Sequence, residues 1–575
     1  MQGQNQTSAS RFVLSSLSAV VLAISLSGCL SGGGGSSSST DGGGEGSTAG
    51  PQASTTQGDY IGIADSGMHV FRGIRYGEAE RFASPETPPA HEQAITLSTD
   101  FGSACPQADS PFGEASANED CLFLNVYTPA EPGEYPVMVW IHGGAFIYGS
   151  GDATYDPVRL VEKGIVVVTL NYRLGAFGFL PHSALDNSNF GLQDQQLALQ
   201  WVQENIAAFN GDSDNVTLFG ESAGGHSVMS QLASPAADGL FHKAIIQSGS
   251  YNGDQLPLQG FSLGPISVPG GEQLFGEEII SETSCDTAAN DELLSCLRGL
   301  PVEELLAAQT AALTATILPV WGTPTLPVSI NQALATGEFN KVPVMMGSNL
   351  NEGTLFTLLA LAPSEDPDNQ PIDLTSVDGY RAAVGKLLEE DPRLDAQQIA
   401  QDYLVKFIGN DAPTLDAYNA IGTDWRFNCP NSRQWNMLQD QVPTWGYWFA
   451  DQNAPAIPGL PAPFHMGATH TAEIQYVLSS EETLVERGAT EQQLELAQQM
   501  AEYWTSFARY AEDPAIGPNG TDGAAEAVEW PQLTSSGQVL RLEAPTPAAK
   551  AKAEYDTFHN CSYWAAPPLA TLTPQ

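Results

Sequence analysis

Short, continuously apolar runs rich in Val and Ile recur along this chain and are separated by amphipathic stretches. YPVMVWI (135–141), GIVVVTLNY (164–172), NVTLFGE (215–221), HKAIIQSG (242–249) and KVPVMMGS (341–348) have the length and β-branched content of strands. Most lack polar alternation, which is the pattern of strands covered on both faces and hence of a mostly parallel sheet flanked by helices. FGLQDQQLALQWVQENIAAF (190–209) reads as one such helix, and Leu496, Met500, Tyr503 and Phe507 recur at the spacing of another whose apolar stripe should pack on the sheet. The less regular stretches 250–335 and 355–430 are expected to cap one side. The pattern predicts a single large α/β domain over residues 56–575, without internal repeats.

The first 55 residues follow a different rule. Arg11 precedes FVLSSLSAVVLAISLSG, an apolar run ending in small residues, and the chain then turns to SGGGGSSSSTDGGGEGSTAG, which has nothing to bury. This predicts an export signal over residues 1–28. No later run is long enough in apolar residues to cross a bilayer as a helix. Leu26-Ser27-Gly28-Cys29 resembles the lipobox of bacterial lipoproteins, which implies that Cys29 becomes the lipid-modified first residue. Residues 29–55 would then be a lipidated cysteine with a Gly/Ser-rich tether reaching roughly 25–30 Å. Leu30 stands where an aspartate often retains lipoproteins at the inner membrane, so an exported protein anchored at the outer membrane is expected.

Charge narrows the partners. Lys plus Arg number 21 against 67 for Asp plus Glu, a net charge of −46. Nucleic acid is excluded as a partner, because binding it requires clustered Lys and Arg. An acid excess of this size suits a saline exterior, where screening weakens self-repulsion, and equally an ordinary acidic secreted enzyme.

Two glycine-rich motifs carry candidate chemistry. Gly220-Glu221-Ser222-Ala223-Gly224 follows the strand-like NVTLF and precedes the helix-like AGGHSVMSQLA. That strand–turn–helix context is the one in which a G-x-S-x-G serine is a nucleophile on a strained elbow. His142-Gly143-Gly144-Ala145-Phe146 follows YPVMVWI, as an HGGG-type oxyanion loop should. The N–H groups of Gly144, Ala145 and Ala223 are the candidate oxyanion donors; His142 and Gly143 shape the loop, and Glu221 is a carboxylate placed just behind the serine.

With these motifs the chain resembles the type-B carboxylesterase family, which includes cholinesterases, bacterial esterases and non-catalytic adhesion proteins. Further residues carrying the resemblance are EDCLFLNV (119–126), FNGDSDNVTLFGESAGG (209–225), NYRLGAFGFL (171–180), QSGS (247–250) and YWTSFAR (503–509), and the matches span about residues 58–564. RGIRYGEAERF (72–82) departs from the family's usual GIPYA and proline-rich stretch. The resemblance implies an α/β-hydrolase fold, a large mostly parallel sheet with a capping region beside the active site. It also implies the chain order serine, acid, histidine. Of the histidines, His465, His470 and His559 follow a plausible acid, and GATHTAEI (467–474) is similar to the family's histidine loop, making His470 the expected base. GSNLNEG (347–353) resembles the acidic motif and makes Glu352 the expected acid.

The implied activity is a serine carboxylesterase acting on neutral, small to medium esters, with no metal or organic cofactor. A lipase-like or xenobiotic esterase of bulkier substrates is the second enzyme reading. A binding or adhesion protein that has lost the triad is a reading of another class. No motif specifies an oligomeric state. Six cysteines could pair in 15 ways. The resemblance implies Cys105–Cys121, Cys285–Cys296 and Cys429–Cys561, the first two closing short loops worth about 3 kcal/mol each in the chain-entropy model. The stretch within Cys105–Cys121 has Phe112 but no tryptophan, unlike the longer cholinesterase loop that holds a choline cation. Trp321, Phe356 and residues 250–265 are candidate acyl-pocket residues.

Overall fold

A computed structural model describes residues 50–97, 99–250, 275–312, 317–362, 370–388, 394–513, 516–519, 528–534 and 537–565. Export signal, Cys29 and most of the tether lie outside them.

All five apolar runs form strands of one sheet. YPVMVWI is β7 (Tyr135–Ile141), and the others are β8 (Val166–Leu170), β9 (Gly211–Glu221), β10 (Lys243–Gln247) and β11 (Val344–Asn349). Every residue of β8, β10 and β11 is buried, as the lack of polar alternation requires. The sheet has eleven strands in the order β14-β13-β12-β11-β10-β9-β7-β8-β6-β4-β3. Those not met by sequence are β3 (Ile63–Asp65), β4 (Met68–Arg75), β6 (Phe123–Pro129), β12 (Thr444–Phe449), β13 (Gln538–Leu542) and β14 (Ala548–Ala551). The run from β8 to β13 is parallel, and the strands beyond it at both edges are antiparallel. A small separate sheet joins β1 (Gln52–Thr55), β2 (Gly58–Ile61) and β5 (Ile95–Thr96).

Two boundaries differ from the sequence reading. Gln52–Thr55 is paired strand, with Ala53 buried, so the polar tether gives way to folded chain before residue 55. β12, TWGYWF, is a further, fully buried strand outside the Val/Ile-rich runs: its Trp, Tyr, Phe and Thr favour a strand, and only the central Gly446 counts against one.

The predicted helices are present. Phe190–Asn205 is α-helical and tightens into a 3₁₀ turn at Ile206–Phe209. The C-terminal helix runs Glu491–Tyr510, opened by a capping box between Thr490 and Gln493. Leu496, Met500 and Phe507 are fully buried on it, and Tyr503 nearly so. Burying each such side chain stabilises by roughly 1.5–3 kcal/mol, several times the ~1 kcal/mol of a cap, so packing on the sheet holds this helix. Helices Val377–Leu387, Ala396–Phe407 and Pro413–Thr423 form a second apolar cluster, with Tyr380, Ile399, Tyr403, Ile421 and Trp564 inside it. All three expected disulfides are formed: Cys105–Cys121, Cys285–Cys296 and Cys429–Cys561. The last ties the chain preceding Trp564 back across 132 residues.

Strand order reverses direction at β7. The chain leaves β7 for β8 on one side, whereas β9 lies on the other and continues to β10. A crevice therefore opens at the carboxyl ends of β7 and β9, where an open α/β sheet takes its ligand.

Candidate active site

Both glycine-rich motifs emerge into that crevice. Ser222 follows the last residue of β9 and caps the helix Ala223–Ala233 with φ +53° and ψ −121°. For a residue with a side chain this conformation costs on the order of 1–3 kcal/mol and persists only if the surroundings enforce it. They do so through the backbone: Ser222 N–H donates to the Gln247 carbonyl at 2.9 Å, and the Ser222 carbonyl accepts from His226 N–H at 2.8 Å. The helix seats so close to β7 that a Cβ on Gly224 would lie 1.9 Å from the Ile141 carbonyl oxygen. Ser222 remains partly exposed while its neighbours on both sides are buried.

The turn after β7 has three successive residues at positive φ, Gly144 (+103°), Ala145 (+55°) and Phe146 (+62°). Ile147 and Tyr148 N–H groups both donate to the Gly144 carbonyl, at 3.0 and 2.9 Å. Gly143 touches the elbow, since a Cβ there would meet Glu221 Oε2 at 2.9 Å and Ser222 Cβ at 3.2 Å. Ala223 begins its helix, so its N–H is among the donors that a first helical turn leaves without an intrahelical acceptor. His142 stacks on Tyr172 with ring centroids 4.5 Å apart, and its Nδ1 hydrogen-bonds the Gly143 carbonyl at 2.8 Å. Burial pulls its pKa down to about 4, so it is a neutral wedge within the turn.

On the opposite wall, the loop carrying His470 is held beside the end of β11. Asn351 N–H donates to the Ala468 carbonyl at 2.9 Å, and the Thr354 hydroxyl lies within hydrogen-bond distance of Met466 O and Thr469 Oγ1, at 2.8 and 2.7 Å. His470 Nδ1–H donates to Glu352 Oε2 at 2.6 Å. That bond sets the tautomer and leaves Nε2 as the basic nitrogen. Nε2 lies 3.3 Å from Glu221 Oε1 and makes no hydrogen bond, to Ser222 Oγ or to any other described group. Such contacts often close only when substrate is bound. Glu352 is fully buried, and its Oε1 accepts from Ser248 Oγ at 2.6 Å and from Asn349 N–H at 2.7 Å. A third buried carboxylate, Glu473, accepts from Asn349 Nδ2 at 2.5 Å and Gln247 Nε2 at 3.2 Å.

Three buried carboxylates around one imidazole determine its charge. Burial alone would lower the His470 pKa, but Glu221, Glu352 and Glu473 outweigh it and push it up to about 9. Burial drives the carboxyl of Glu221 well above the usual carboxylate range, with His470 pulling the other way, and burial raises Glu473 too. With carboxylates at 2.6 and 3.3 Å the imidazolium is favoured.

The structure thus gathers Glu221, Glu352 and His470 by direct contact and sets Gly143 against Ser222. His465 is exposed on its loop, and His559 is buried against Asp424 at 2.8 Å. The ring of Phe356 lies 5.1 Å from that of His470, and Phe427 covers the same imidazole at 4.9 Å. Trp321 is partly buried on the main core, and of the stretch 250–265 only Ser250 is described. Ser248, Glu473 and Phe427 were not anticipated. Glu473 sits three residues beyond His470 in the same motif and Ser248 lies within QSGS (247–250), so both could have been found there; Phe427 carries no local signal.

A model of the carboxylesterase family matches residues 49–564. The para-nitrobenzyl esterase of Bacillus subtilis (strain 168) is 33% identical over 502 residues, covering 84% of this chain and 92% of that protein. The human cocaine esterase is 31% identical, covering 90% and 91%. A solved structure of a PNB esterase superposes with a TM-score of 0.68 at 29% identity, covering 88% of this chain and 99% of that one.

Proposed function

Because the chain belongs to the carboxylesterase family and is a serine carboxylesterase of α/β-hydrolase fold, we propose that Ser222 is its nucleophile, His470 its base and Glu352 the acid that orients the base. The observation that carries the assignment is the 2.6 Å Glu352–His470 bond, with His470 Nε2 3.3 Å from the carboxylate of Glu221, the residue preceding a serine held at φ +53°. Ser222 Oγ attacks the ester carbonyl as His470 Nε2 takes its proton. The imidazolium so formed is stabilised by the carboxylates around it. The oxyanion is received by the N–H groups of Gly144, Ala145 and Ala223, each worth roughly 3–4 kcal/mol in the transition state. His470 then protonates the leaving alcohol, and water resolves the acyl-enzyme by the same route.

The substrates are neutral esters of small to medium size. The short Cys105–Cys121 loop and the two phenylalanines against His470 support an apolar site with no cation-holding tryptophan in that loop. Residues 1–28 are an export signal and Cys29 a lipid anchor, so the enzyme works on a tether at a membrane surface. A single acyl chain binds membranes only marginally, and the several chains of a lipoprotein cysteine would hold it firmly.

The test is Ser222→Ala, assayed on soluble p-nitrophenyl esters of increasing acyl length alongside labelling by a fluorophosphonate probe. Wild type should label and turn over short esters best, and the variant should do neither while remaining folded. Retained hydrolysis by the variant refutes the nucleophile. A wild type that fails to label supports the non-catalytic reading, and a preference for long acyl chains supports the lipase-like one. For the anchor, Cys29→Ser should move the protein from the membrane to the soluble fraction, and an unchanged distribution refutes it.

A further inference from the structure

We propose that Asn428 is a positioning residue for Glu352, and that the buried His559–Asp424 pair holds it in that role. The proposal rests on the reading of Glu352 as the catalytic acid. Asn428 ends a π-helical turn, Asp424–Asn428, a distortion that recurs at functional sites. It is fully buried, and its Nδ2 donates in two directions. One bond goes to the carbonyl of Asn349 at 3.1 Å, the other to His559 Nε2 at 2.8 Å. His559 Nδ1–H in turn donates to Asp424 Oδ1 at 2.8 Å, and the other carboxylate oxygen of Asp424 accepts from Tyr403 Oη at 2.7 Å and Asn560 Nδ2 at 3.1 Å. With Nδ1 committed as donor to a carboxylate, Nε2 is the nitrogen left to accept from Asn428, so Asn428 is held as a double donor and cannot flip without losing both bonds.

What distinguishes this from plain interior bonding is the acceptor. Asn349 is the residue whose own N–H holds Glu352 Oε1 at 2.7 Å and whose side-chain amide holds Glu473. Its neighbour Ser348 is gripped by the same C-terminal segment, through Tyr555 Oη at 2.8 Å, and that hydroxyl also donates to the Asn428 carbonyl at 3.1 Å. The turn that presents the acid is therefore clamped from behind by residues 424–428 and 555–560. The Cys429–Cys561 disulfide joins the residues immediately following each of those segments. If Asn428 lets go, the Asn349 carbonyl is left buried and unpaired, and the turn has reason to shift. Misplacement of a catalytic group by a fraction of an ångström is enough to cost rate.

The experiment uses the full chain with p-nitrophenyl butyrate, and measures kcat, KM, the pH profile of kcat/KM and Tm. Asn428→Leu and His559→Leu should lower kcat about 10-fold with KM nearly unchanged. Both should also move the ascending limb of the pH profile toward acid, because a loosened Glu352 favours the imidazolium less. His559→Gln should recover most of kcat, since its amide can donate to Asp424 and accept from Asn428 as the neutral imidazole does. A lowered Tm with unchanged kcat and profile makes the residue merely structural and overturns the proposal, as does a His559→Gln variant no better than His559→Leu. If the leucine variants do not fold, Asn428→Ser reads the same link with one donor retained, and wild-type kcat and profile there overturn it. Ser222→Ala measured alongside keeps the readings apart: activity surviving in that variant rejects the triad itself, whereas its loss with an unmoved Asn428→Leu rejects only the clamp.

Discussion

The two walls of the crevice are built by opposite means. The serine wall is local and made of backbone: Ser222 is set by residues 220–226, by one hydrogen bond to β10, and by glycines that let the helix touch β7. The base wall is assembled from distant segments through side chains. Ser248, Asn349, Glu352, His470 and Glu473 come from three stretches of chain, and their order rests on hydrogen bonds spanning more than one hundred residues. A backbone device resists small side-chain changes but fails altogether when space is taken away. A side-chain network degrades by steps as partners are removed.

That contrast sets the order of expected effects. On the base wall Glu352→Gln should be the most damaging change to catalysis with the fold kept, lowering kcat by on the order of 10⁴-fold, as expected for removal of a triad acid. Steady-state kinetics with a thermal melt check it, and a loss of less than tenfold would mean the base is oriented by something else. Gly224→Ala should fail in the other way. Its Cβ has only backbone to meet at 1.9 Å, so it should destabilise the fold by about 3 kcal/mol or more and take activity with it. Denaturant unfolding reads this, and a stable, active variant would show that the elbow can relax.

Ser248→Ala removes one of the two bonds to Glu352 Oε1 and leaves Asn349 N–H in place, so about a tenfold loss in kcat is expected, with KM little changed. The smallest effect on the limiting rate at high pH, and the one most diagnostic of charge, belongs to Glu221→Gln. Carboxylates favour the imidazolium, so the base form of wild type increases as pH rises through about 9. Taking away the charge of Glu221 should move the ascending limb of kcat/KM from about 9 toward the ordinary 6.5, as a full pH–rate profile would show. A limb that stays in place means that Glu221 is already neutral in the free enzyme.

The same contrast explains what could be read before any coordinates. Apolar runs without polar alternation gave five central strands, because a doubly covered strand has no solvent face to mark with polar residues. β12 escaped because Gly446 interrupts its apolar run, although its aromatic residues favour a strand. The serine wall was readable for the reason that it is local: glycines demanded by close backbone approach stand at fixed offsets from the nucleophile. His470 and Glu352 were reached through the resemblance of their motifs, not through spacing, for composition could not single out one carboxylate among 67 acidic residues.

By itself, then, the sequence determined the layered sheet, the strained serine and the glycine turn beside it, because each depends on neighbours within a few residues. Only the tertiary structure decided that Glu221, Glu352 and Glu473 converge on one imidazole, that Ser248 bonds the acid, and that Asn428 meets both Asn349 and His559. The hydrogen bonds among them join residues 79 to 131 positions apart, and nothing in either partner's neighbourhood along the chain records which distant group will stand opposite it once the sheet has closed.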